Sequence, residues 1–369
     1  MTDDELTGIV DAVCRAAADR RGDVAQVVDE LVPIAAPLAT EAERHLVHRR
    51  AMARLDGLDV LATLLDDPTV DEVMVNRGTQ VWADRSGRLE RETDLTPGTA
   101  DTILERVLAP LGRRLDRHTP TVDARLPDGS RLCAVIEPVA VDGTTVSIRR
   151  HRSRCVPVES FAVPAVTQLI DALVSARANV LVTGATSTGK TTFLTALVAR
   201  LSPTERLVVV EDTAELSLGD RHAVRLETRS ATVDGVGAVD AAHLVRTALR
   251  LRPDRLVVGE FRGAEVVAIV EALNTGHDGS LSTCHANSAV DGLRRVETLV
   301  MQAVPTWPLA AIRRQVSRSI DVVIHLQRGA DGRRRVAEIV EVSEGDGEPT
   351  VRKLVDGDRV VAAFTRGRR

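Results

Sequence analysis

The residues with the clearest chemistry run from Gly184 to Thr191, where the sequence reads GATSTGKT. A short apolar segment typical of a strand precedes them, and apolar residues at helical spacing follow, namely Phe193, Leu194, Leu197, Val198 and Leu201. This pattern is a P-loop in the context it requires, with backbone N–H groups around the phosphates, Lys190 at the β- and γ-phosphate oxygens, and Thr191 on Mg²⁺. We therefore expect nucleotide binding by Gly184, Ala185, Thr186, Ser187, Thr188, Gly189, Lys190, Thr191 and Thr192.

Lysine usage supports this interpretation. Lysine and arginine together number 48, yet only Lys190 and Lys353 are lysines. A chain that uses arginine almost everywhere has a lysine at the position where a compact, strongly hydrated point charge suits a phosphate.

Three polar clusters follow apolar segments further along the chain. Glu211 opens the first in EDTAE, Glu260 closes RLVVGE, and the third runs over 275–288 and contains His277 and His285. Each alone is weak, because Asp and Glu also serve as helix N-caps. Together, at the carboxyl ends of strands in one P-loop domain, they fit a nucleotide site that needs a metal partner, a group that orients water and a sensor near the γ-phosphate.

The elements that position these residues suggest several parts, because 369 residues are too many for one ordinary core. We expect a helical segment over 1–65, a small α/β domain over 66–150, a linker over 151–161, and a P-loop domain over 162–369 that ends in strands. In the last part strands alternate with helices. This alternation predicts an α/β fold with a doubly wound, mostly parallel sheet that is covered on both faces.

Local patterns predict the elements of the first two parts. Helices are expected after the TDDEL cap, near 24–31, and from about 40 to 65. Short strands separated by turn residues, with one helix near 99–111, make up the small domain. His45 and His48 lie three residues apart on the third helix, but without a third candidate ligand nearby a solvated face is the better interpretation.

The segment Arg149-Arg150-His151-Arg152-Ser153-Arg154 is a dense basic run at the end of the small domain. Its charges could be solvated in a linker, and as a nucleic-acid patch it is short and isolated. A third possibility is that its arginines reach nucleotide phosphates across a domain or subunit boundary, since arginine stabilises charge on a transferring phosphoryl group.

Composition excludes several classes of protein. The net charge of −5 and the 2% of aromatic residues, with no tyrosine, argue against nucleic acid as a partner. The scattered cysteines form no zinc pattern, and we expect them to be reduced. No signal peptide opens the sequence and no stretch near its start could span a bilayer, so we expect a cytoplasmic protein whose membrane work goes through a partner.

As a set, these motifs resemble the hexameric ATPases of the type II/type IV secretion superfamily, most closely the Tad-pilus branch. The resemblance covers roughly residues 60–325 and rests on the P-loop, the acidic box VVVEDTAEL, the Walker B segment RPDRLVVGEFRG, and the histidine box TGHDGSLSTCHANS, in this order. The small-domain phrases MVN, VDARLPDGSR and SIRR are similar to that branch as well. The resemblance implies a RecA-like ATPase domain that follows a small α/β domain along the chain.

The resemblance also implies roles for individual residues. Glu211 would activate the attacking water and Glu260 would hold Mg²⁺ through water, although these two roles could be exchanged. His277 and His285 would lie near the phosphate and the subunit boundary. Four arginines would neutralise phosphate charge within or between subunits: Arg149, Arg150, Arg225 and Arg229. The implied cofactors are ATP and Mg²⁺, and the implied partners are further copies in a homohexamer and the membrane platform proteins of a pilus or secretion apparatus.

The P-loop departs from the family's usual GGTGSGKT, because Ala185 and Ser187 replace two glycines. Each position must either avoid positive φ or accept strain, which could slow turnover without removing binding. Three functions therefore stay open: a hydrolysing motor for pilus assembly or secretion, a nucleic-acid translocase with the same core, and a non-hydrolysing scaffold gated by nucleotide. The tail after about 320 alternates as strands and carries no chemical signal.

Overall fold

The structure is a computed structural model. It describes residues 3–18, 20, 24–55, 58, 60–85, 87–150, 156–229, 231, 236–329, 331–345 and 348–365. Parts of three predicted segments lie outside these residues: the third helix at 56, 57 and 59, and the linker and the basic run over 151–155.

The chain divides into two compact units, a first over Met1–Arg152 and a second that holds nearly all of the rest. The first unit begins with four helices: α1 (Asp3–Ala18), α2 (Val24–Ala35), α3 (Glu41–Leu55) and α4 (Val60–Asp66). The first three pack their apolar faces into one core, which includes Val13, Val28 and Val47, each with no exposed surface. The spacing of apolar residues in the sequence predicts these faces.

The prediction of a single helix from about 40 to 65 was wrong. The structure has two helices there, α3 and α4. The sequence between them contains Asp56 and Gly57, both of which are unfavourable in a helix interior. Leu61 and Leu65 of α4 pack into the core of the small sheet.

That sheet has six antiparallel strands: β1 (Glu72–Asn76), β2 (Gln80–Arg85), β3 (Arg88–Asp94), β4 (Thr121–Arg125), β5 (Arg131–Val135) and β6 (Thr145–Arg149), in the order β3-β2-β1-β6-β5-β4. Helix α5 (Thr99–Leu108) covers it with Ile103, Leu104 and Leu108, and a 3-10 turn over Ala109–Leu111 follows. The domain boundaries proposed from the sequence stay predictions.

The second unit is built on a sheet of nine strands. They are β7 (Val180–Gly184), β8 (Leu207–Glu211), β9 (Ala223–Glu227), β10 (Arg255–Val258), β11 (Leu281–His285), β12 (Val322–Arg328), β13 (Arg334–Ser343), β14 (Thr350–Asp356) and β15 (Arg359–Val360). Their order is β15-β14-β13-β12-β7-β11-β10-β8-β9, and the six strands from β12 to β9 in this order are parallel. The tail adds three antiparallel strands at one edge.

Helices cover both faces of this sheet. They are α6 (Pro164–Ser175), α7 (Lys190–Arg200), α8 (Ala241–Arg250), α9 (Glu265–Leu273), α10 (Ala289–Ala303) and α11 (Leu309–Ser319). Residues of α6 and α7 line one core and residues of α8 to α11 line the other. The predicted doubly wound, mostly parallel sheet is confirmed.

Two details differ from the prediction in the second unit. Helix α11 was not predicted, although Ile312 and Val316 bury one face of it. The strand pattern predicted for the tail ends earlier than expected, because the last strand covers only Arg359–Val360. Among the described residues, no helix is both long enough and apolar enough to cross a membrane.

We expect Gly292→Ala to lower the free energy of unfolding. A Cβ on Gly292 in α10 would lie 2.5 Å from Cγ2 of Thr183, the buried strand residue next to the P-loop. Overpacking of about 1–3 kcal/mol should exceed the gain of about 1 kcal/mol that alanine brings to a helix interior. Urea unfolding followed by circular dichroism measures the change.

Gly8→Ala in α1 is the matched control, because a Cβ at Gly8 meets nothing within 4 Å. It should raise stability by about 1 kcal/mol. Equal stabilisation by both substitutions would show that the close approach of α10 to β7 carries no constraint.

Candidate functional site

The P-loop joins β7 to α7. β7 is buried along its whole length between β11 and β12, and α7 begins at Lys190 with Gly189 as its N-cap. The first N–H groups of a helix have no partners within the helix, so this end of α7 offers donors to an anion. Gly189 has φ 89°, and a Cβ there would lie 2.8 Å from Cδ of Arg334, so glycine is required at this position.

The two departures from the usual glycines have different outcomes. Ala185 stays outside the positive-φ region, whereas Ser187 enters it with φ 63°. For a residue other than glycine this conformation costs about 1–2 kcal/mol. One of the two substitutions therefore places strain in the P-loop, and the other is accommodated.

The remaining P-loop residues lie in the loop itself or on the first turn of α7. The Thr188 hydroxyl donates to the Ala185 carbonyl at 2.8 Å, which closes a turn within the loop. Thr186 is exposed, and the side chains of Thr191 and Thr192 are half-buried on the first turn of α7.

Lys190 is buried and points back into the loop. Its ammonium donates to the carbonyls of Gly184 at 3.2 Å and Ala185 at 3.0 Å, and it lies 3.1 Å from Nδ1 of His285. Burial lowers the pKa of Lys190, and the nearby Glu260 carboxylate opposes this shift. The lysine is thus a partly desolvated cation whose partners can exchange for phosphate oxygens.

His285 connects this lysine to Glu260. Because an ammonium has no lone pair, Nδ1 of His285 must accept from Lys190, and the ring proton of the neutral histidine is then on Nε2. That nitrogen lies 2.7 Å from Oε1 of Glu260, a close approach without the geometry of a hydrogen bond, while Arg262 donates to Oε2 at 2.6 Å. Burial lowers the pKa of His285, which favours the neutral ring. We call this set of contacts the lysine–histidine–glutamate chain.

Glu211 lies beside this chain and is buried. Its Oε1 accepts from the backbone N–H groups of Glu215 and Leu216, both at 2.9 Å. Its Oε2 lies 3.7 Å from a guanidinium nitrogen of Arg225 and has no hydrogen-bond partner among the residues the structure describes. Burial raises the pKa of Glu211, although the two N–H groups oppose the shift. One oxygen is fixed, and the other is available to a ligand.

The register of the parallel strands explains why these residues meet. His285 at the end of β11 pairs with Gly184 at the end of β7, and Val258 of β10 pairs with Val210 of β8. Gly259 then lies beside Glu211, whose Cγ would be 2.9 Å from a Cβ on that glycine. All four strands therefore deliver their polar residues to one edge of the sheet, as the sequence predicts.

The expectation for His277 was wrong with respect to the phosphate loop of its own chain. His277 precedes the amino end of β11, which pairs with Val180 at the opposite end of β7 from the P-loop. Its ring lies 3.2 Å from the carbonyl of Ala272 at the end of α9. Helix α9 runs back across the sheet between β10 and β11, so the two histidines of the box lie at opposite edges.

The four predicted arginines differ in their surroundings. Arg225 faces Glu211, and Arg229 packs near Gly237, where its backbone pairs with Val239. Arg149 is exposed at the end of β6 in the first unit. The Arg150 guanidinium donates to carbonyls of Asp67 and Val70 in that same unit. Arg150 therefore has a structural role there, and a phosphate contact by any of the four stays a prediction.

Sequence reasoning missed two arginines at this edge. Arg262 holds Glu260, and its position two residues after that carboxylate was the available signal. Arg334, the first residue of β13, donates from Nε to the carbonyl of Ser187 at 3.3 Å. Only the run of three arginines over 333–335 marks it in the sequence.

Comparison with known proteins identifies the family of this chain. The family model described as type II/IV secretion system protein matches residues 54–351. A putative conjugal transfer protein of Mycobacterium tuberculosis is 38% identical over 324 residues, which cover 84% of this chain and 92% of that protein. The conjugal transfer protein TrbB of Rhizobium radiobacter is 32% identical over 306 residues, which cover 80% of this chain and 91% of TrbB.

Among solved structures, the ATPase DotB of Legionella pneumophila aligns with a TM-score of 0.58 at 20% identity, covering 80% of this chain and 84% of DotB. At this identity the likeness concerns the fold, and the predicted RecA-like fold class is confirmed. The predicted Tad-pilus branch stays a prediction. The family model matches most of this chain, and the two relatives are 38% and 32% identical to it. The chain therefore belongs to the type II/IV secretion system protein family, the secretion ATPases.

Proposed function

We propose that this protein hydrolyses ATP with Mg²⁺ as a ring-forming motor that powers either pilus assembly, as in the Tad-pilus branch, or protein secretion across the cytoplasmic membrane. The observation that carries the proposal is the lysine–histidine–glutamate chain, which links the P-loop to the Walker B carboxylate at one edge of the sheet. Two relatives are named as conjugal transfer proteins, which supports a transport apparatus as the partner.

The residues present fit a magnesium ion. Mg²⁺ in nucleotide sites is held by one or two protein groups, by phosphates and by water, so it needs no cage of side chains. Thr191 and Glu260 supply such groups, and no cluster of three or more His, Cys, Asp or Glu that could hold a metal occurs among the described residues. When bound, the ion neutralises charge on the β- and γ-phosphate oxygens.

The two carboxylates divide the remaining work. Glu211 has one oxygen fixed by two N–H groups and one without a partner, which suits a group that orients the attacking water. Glu260 accepts from Arg262 at Oε2, and its Oε1 lies 2.7 Å from Nε2 of His285 but makes no hydrogen bond among the described residues. We propose that this carboxylate holds Mg²⁺ through water. Lys190 leaves its loop carbonyls for the phosphates. His285 then loses its contact with Lys190, so its ring can respond to the bound nucleotide.

The ring supplies further positive charge. We propose a homohexamer in which an arginine from a neighbouring subunit stabilises the transition state, with Arg149 as the first candidate and Arg225 and Arg229 as candidates beside Glu211 and the following loop. The protein would work at the cytoplasmic face of the membrane, bound to platform proteins of the apparatus.

A non-hydrolysing scaffold is the second candidate, and the strained Ser187 is the observation that favours it. Such a scaffold would bind nucleotide yet release no phosphate above background. Steady-state turnover in the presence of Mg²⁺ separates the two functions.

We expect Lys190→Ala to reduce ATP turnover by at least a hundredfold, because no other side chain in the loop can supply its charge to the phosphates. Lys353→Ala is the matched control, since Lys353 is the other lysine of the chain and its ammonium pairs with Asp356 on the surface. Phosphate release measures turnover, and circular dichroism verifies that both variants fold. Turnover above a tenth of wild type in Lys190→Ala would contradict the assignment.

The carboxylates should give different phenotypes. Glu211→Gln should bind ATP with unchanged dependence on Mg²⁺ and hydrolyse it very slowly, whereas Glu260→Gln should also shift the Mg²⁺ dependence to higher concentration. Titration of turnover and of nucleotide binding against Mg²⁺ measures both. The reverse phenotypes would exchange the roles, and two active variants would remove both carboxylates from the mechanism.

Glu211→Gln has a control that is independent of turnover. Because the folded state raises the pKa of Glu211, the ionised carboxylate destabilises the native protein above that pKa, and this penalty disappears as the pH falls through it. The variant should therefore unfold at a higher temperature than wild type at pH 8, with a difference that narrows in acid. A difference in unfolding temperature that does not change with pH would mean that the Glu211 carboxylate is not its cause.

We expect activity to depend on assembly, because an arginine contributed in trans is worth roughly a thousandfold or more in related phosphoryl transfers. Specific activity should rise with protein concentration as rings form, and adding Arg149→Ala subunits should lower the turnover of wild-type subunits. Lys353→Ala subunits, added in the same amounts, control for mixing. If the dilute monomer were as active per chain as the concentrated protein, an arginine contribution from a neighbouring subunit would be ruled out.

A further inference from the structure

The tip of the hairpin formed by β12 and β13 lies against the P-loop at three points. The carbonyl oxygen of Leu326 would be 2.8 Å from a Cβ on Gly184, where the loop begins. Nε of Arg334 donates to the carbonyl of Ser187 in the middle of the loop, and Cδ of Arg334 would be 2.8 Å from a Cβ on Gly189, near the end of the loop. The hairpin thus follows the whole length of the loop.

The position of Arg334 is determined by neighbours that also contact α7. Two residues after it, Val336 donates its backbone N–H to the carbonyl of Phe161 at 2.8 Å. The Phe161 ring packs edge-on against Phe193 of α7, with centroids 5.2 Å apart and an interplanar angle of 73°. Both phenylalanines are buried. The start of β13 is therefore attached to the helix that follows the P-loop, and Arg334 extends from this attachment over Gly189.

Ser187 is the loop residue that needs such support. It has φ 63°, a conformation that glycine adopts freely and that serine avoids. Without an external contact, a serine here favours negative φ, which would turn the neighbouring peptide groups of the loop. The hydrogen bond from Arg334 is made to the carbonyl of this same residue.

We infer that Arg334 is a positioning residue for the nucleotide site: it holds Ser187 in the left-handed conformation, so that the loop N–H groups are arranged before a phosphate arrives. This inference rests on the proposed nucleotide binding and deepens it. It assigns a role to the tail strands and explains how the chain accommodates a serine where related loops have glycine. Arg334 acts through the loop and does not contact the phosphates.

A double-mutant cycle tests this coupling. The affinity of Mg·ADP is measured by isothermal titration calorimetry for wild type, Arg334→Ala, Ser187→Gly and the double variant. If loss of the Arg334 contact lowers the binding-competent loop to about a fifth of the population, the apparent Kd for Mg·ADP rises about fivefold in Arg334→Ala. In the Ser187→Gly background the same arginine substitution should change Kd by less than about twofold, because glycine populates positive φ without help.

Arg333→Ala is the matched control. Arg333 is the exposed neighbour of Arg334 in the same hairpin, and its substitution removes the same charge from the tip. We expect it to leave the Kd for Mg·ADP within about twofold of wild type. A direct contact of Arg334 with phosphate would instead give the same loss in the wild-type and Ser187→Gly backgrounds, and that result would overturn the inference, as would no loss in either background.

Hydrogen exchange of the loop amides in the protein without nucleotide gives an independent measurement. Arg334→Ala should accelerate exchange of the amides at 185–191, and it should add little acceleration in the Ser187→Gly background. Equal acceleration in both backgrounds, or none, would contradict the inference that Arg334 holds Ser187 in its left-handed conformation. If wild type failed to bind Mg·ADP at all, the proposed function would fail, while this exchange experiment would still decide the role of Arg334.

Discussion

A buried ammonium is the interaction on which the site depends. Lys190 lies in the interior at the end of β7, and an unpaired charge there would be strongly unfavourable. Two loop carbonyls and His285 provide its partners, and Glu260 supplies the opposite charge one contact further away. These partners constrain one another: the ammonium sets the tautomer of His285, and that tautomer has its ring proton on Nε2, the nitrogen 2.7 Å from Oε1 of Glu260.

The sheet separates this chemistry from a second buried charge network. At the amino edge, Arg255 is buried and pairs with Glu205, which also binds Arg177. These arginines donate to backbone carbonyls, those of Gly279 and Asp278 in the loop before β11 and that of Val174 near the end of α6. Such contacts tie the loops of that edge together. The carboxyl edge, by contrast, keeps a buried carboxylate oxygen on Glu211 that has no hydrogen-bond partner among the described residues, which is a local destabilisation of the kind that functional sites retain.

The parts that could be predicted from the sequence are those that local patterns determine. The P-loop, the acidic boxes and the parallel strands are each encoded within short segments, and the rule that ligands bind at the carboxyl ends of strands then brings Glu211, Glu260 and His285 together. The same rule would have excluded His277 from that edge, because His277 precedes its strand. The break between α3 and α4 was missed because apolar periodicity continues through Asp56 and Gly57.

Arg334 could not be predicted from a motif, because topology alone brings it to the P-loop. β12 is a parallel neighbour of β7, so it ends at the edge where the P-loop begins, with Leu326 in register with Gly184. Because β13 is antiparallel to β12, its first residues must lie at that same edge. The residue that begins β13 is thus adjacent to the nucleotide loop, whatever its type. An arginine there can hold a strained loop residue, and a serine can then occupy a position at which a loop without such support requires glycine.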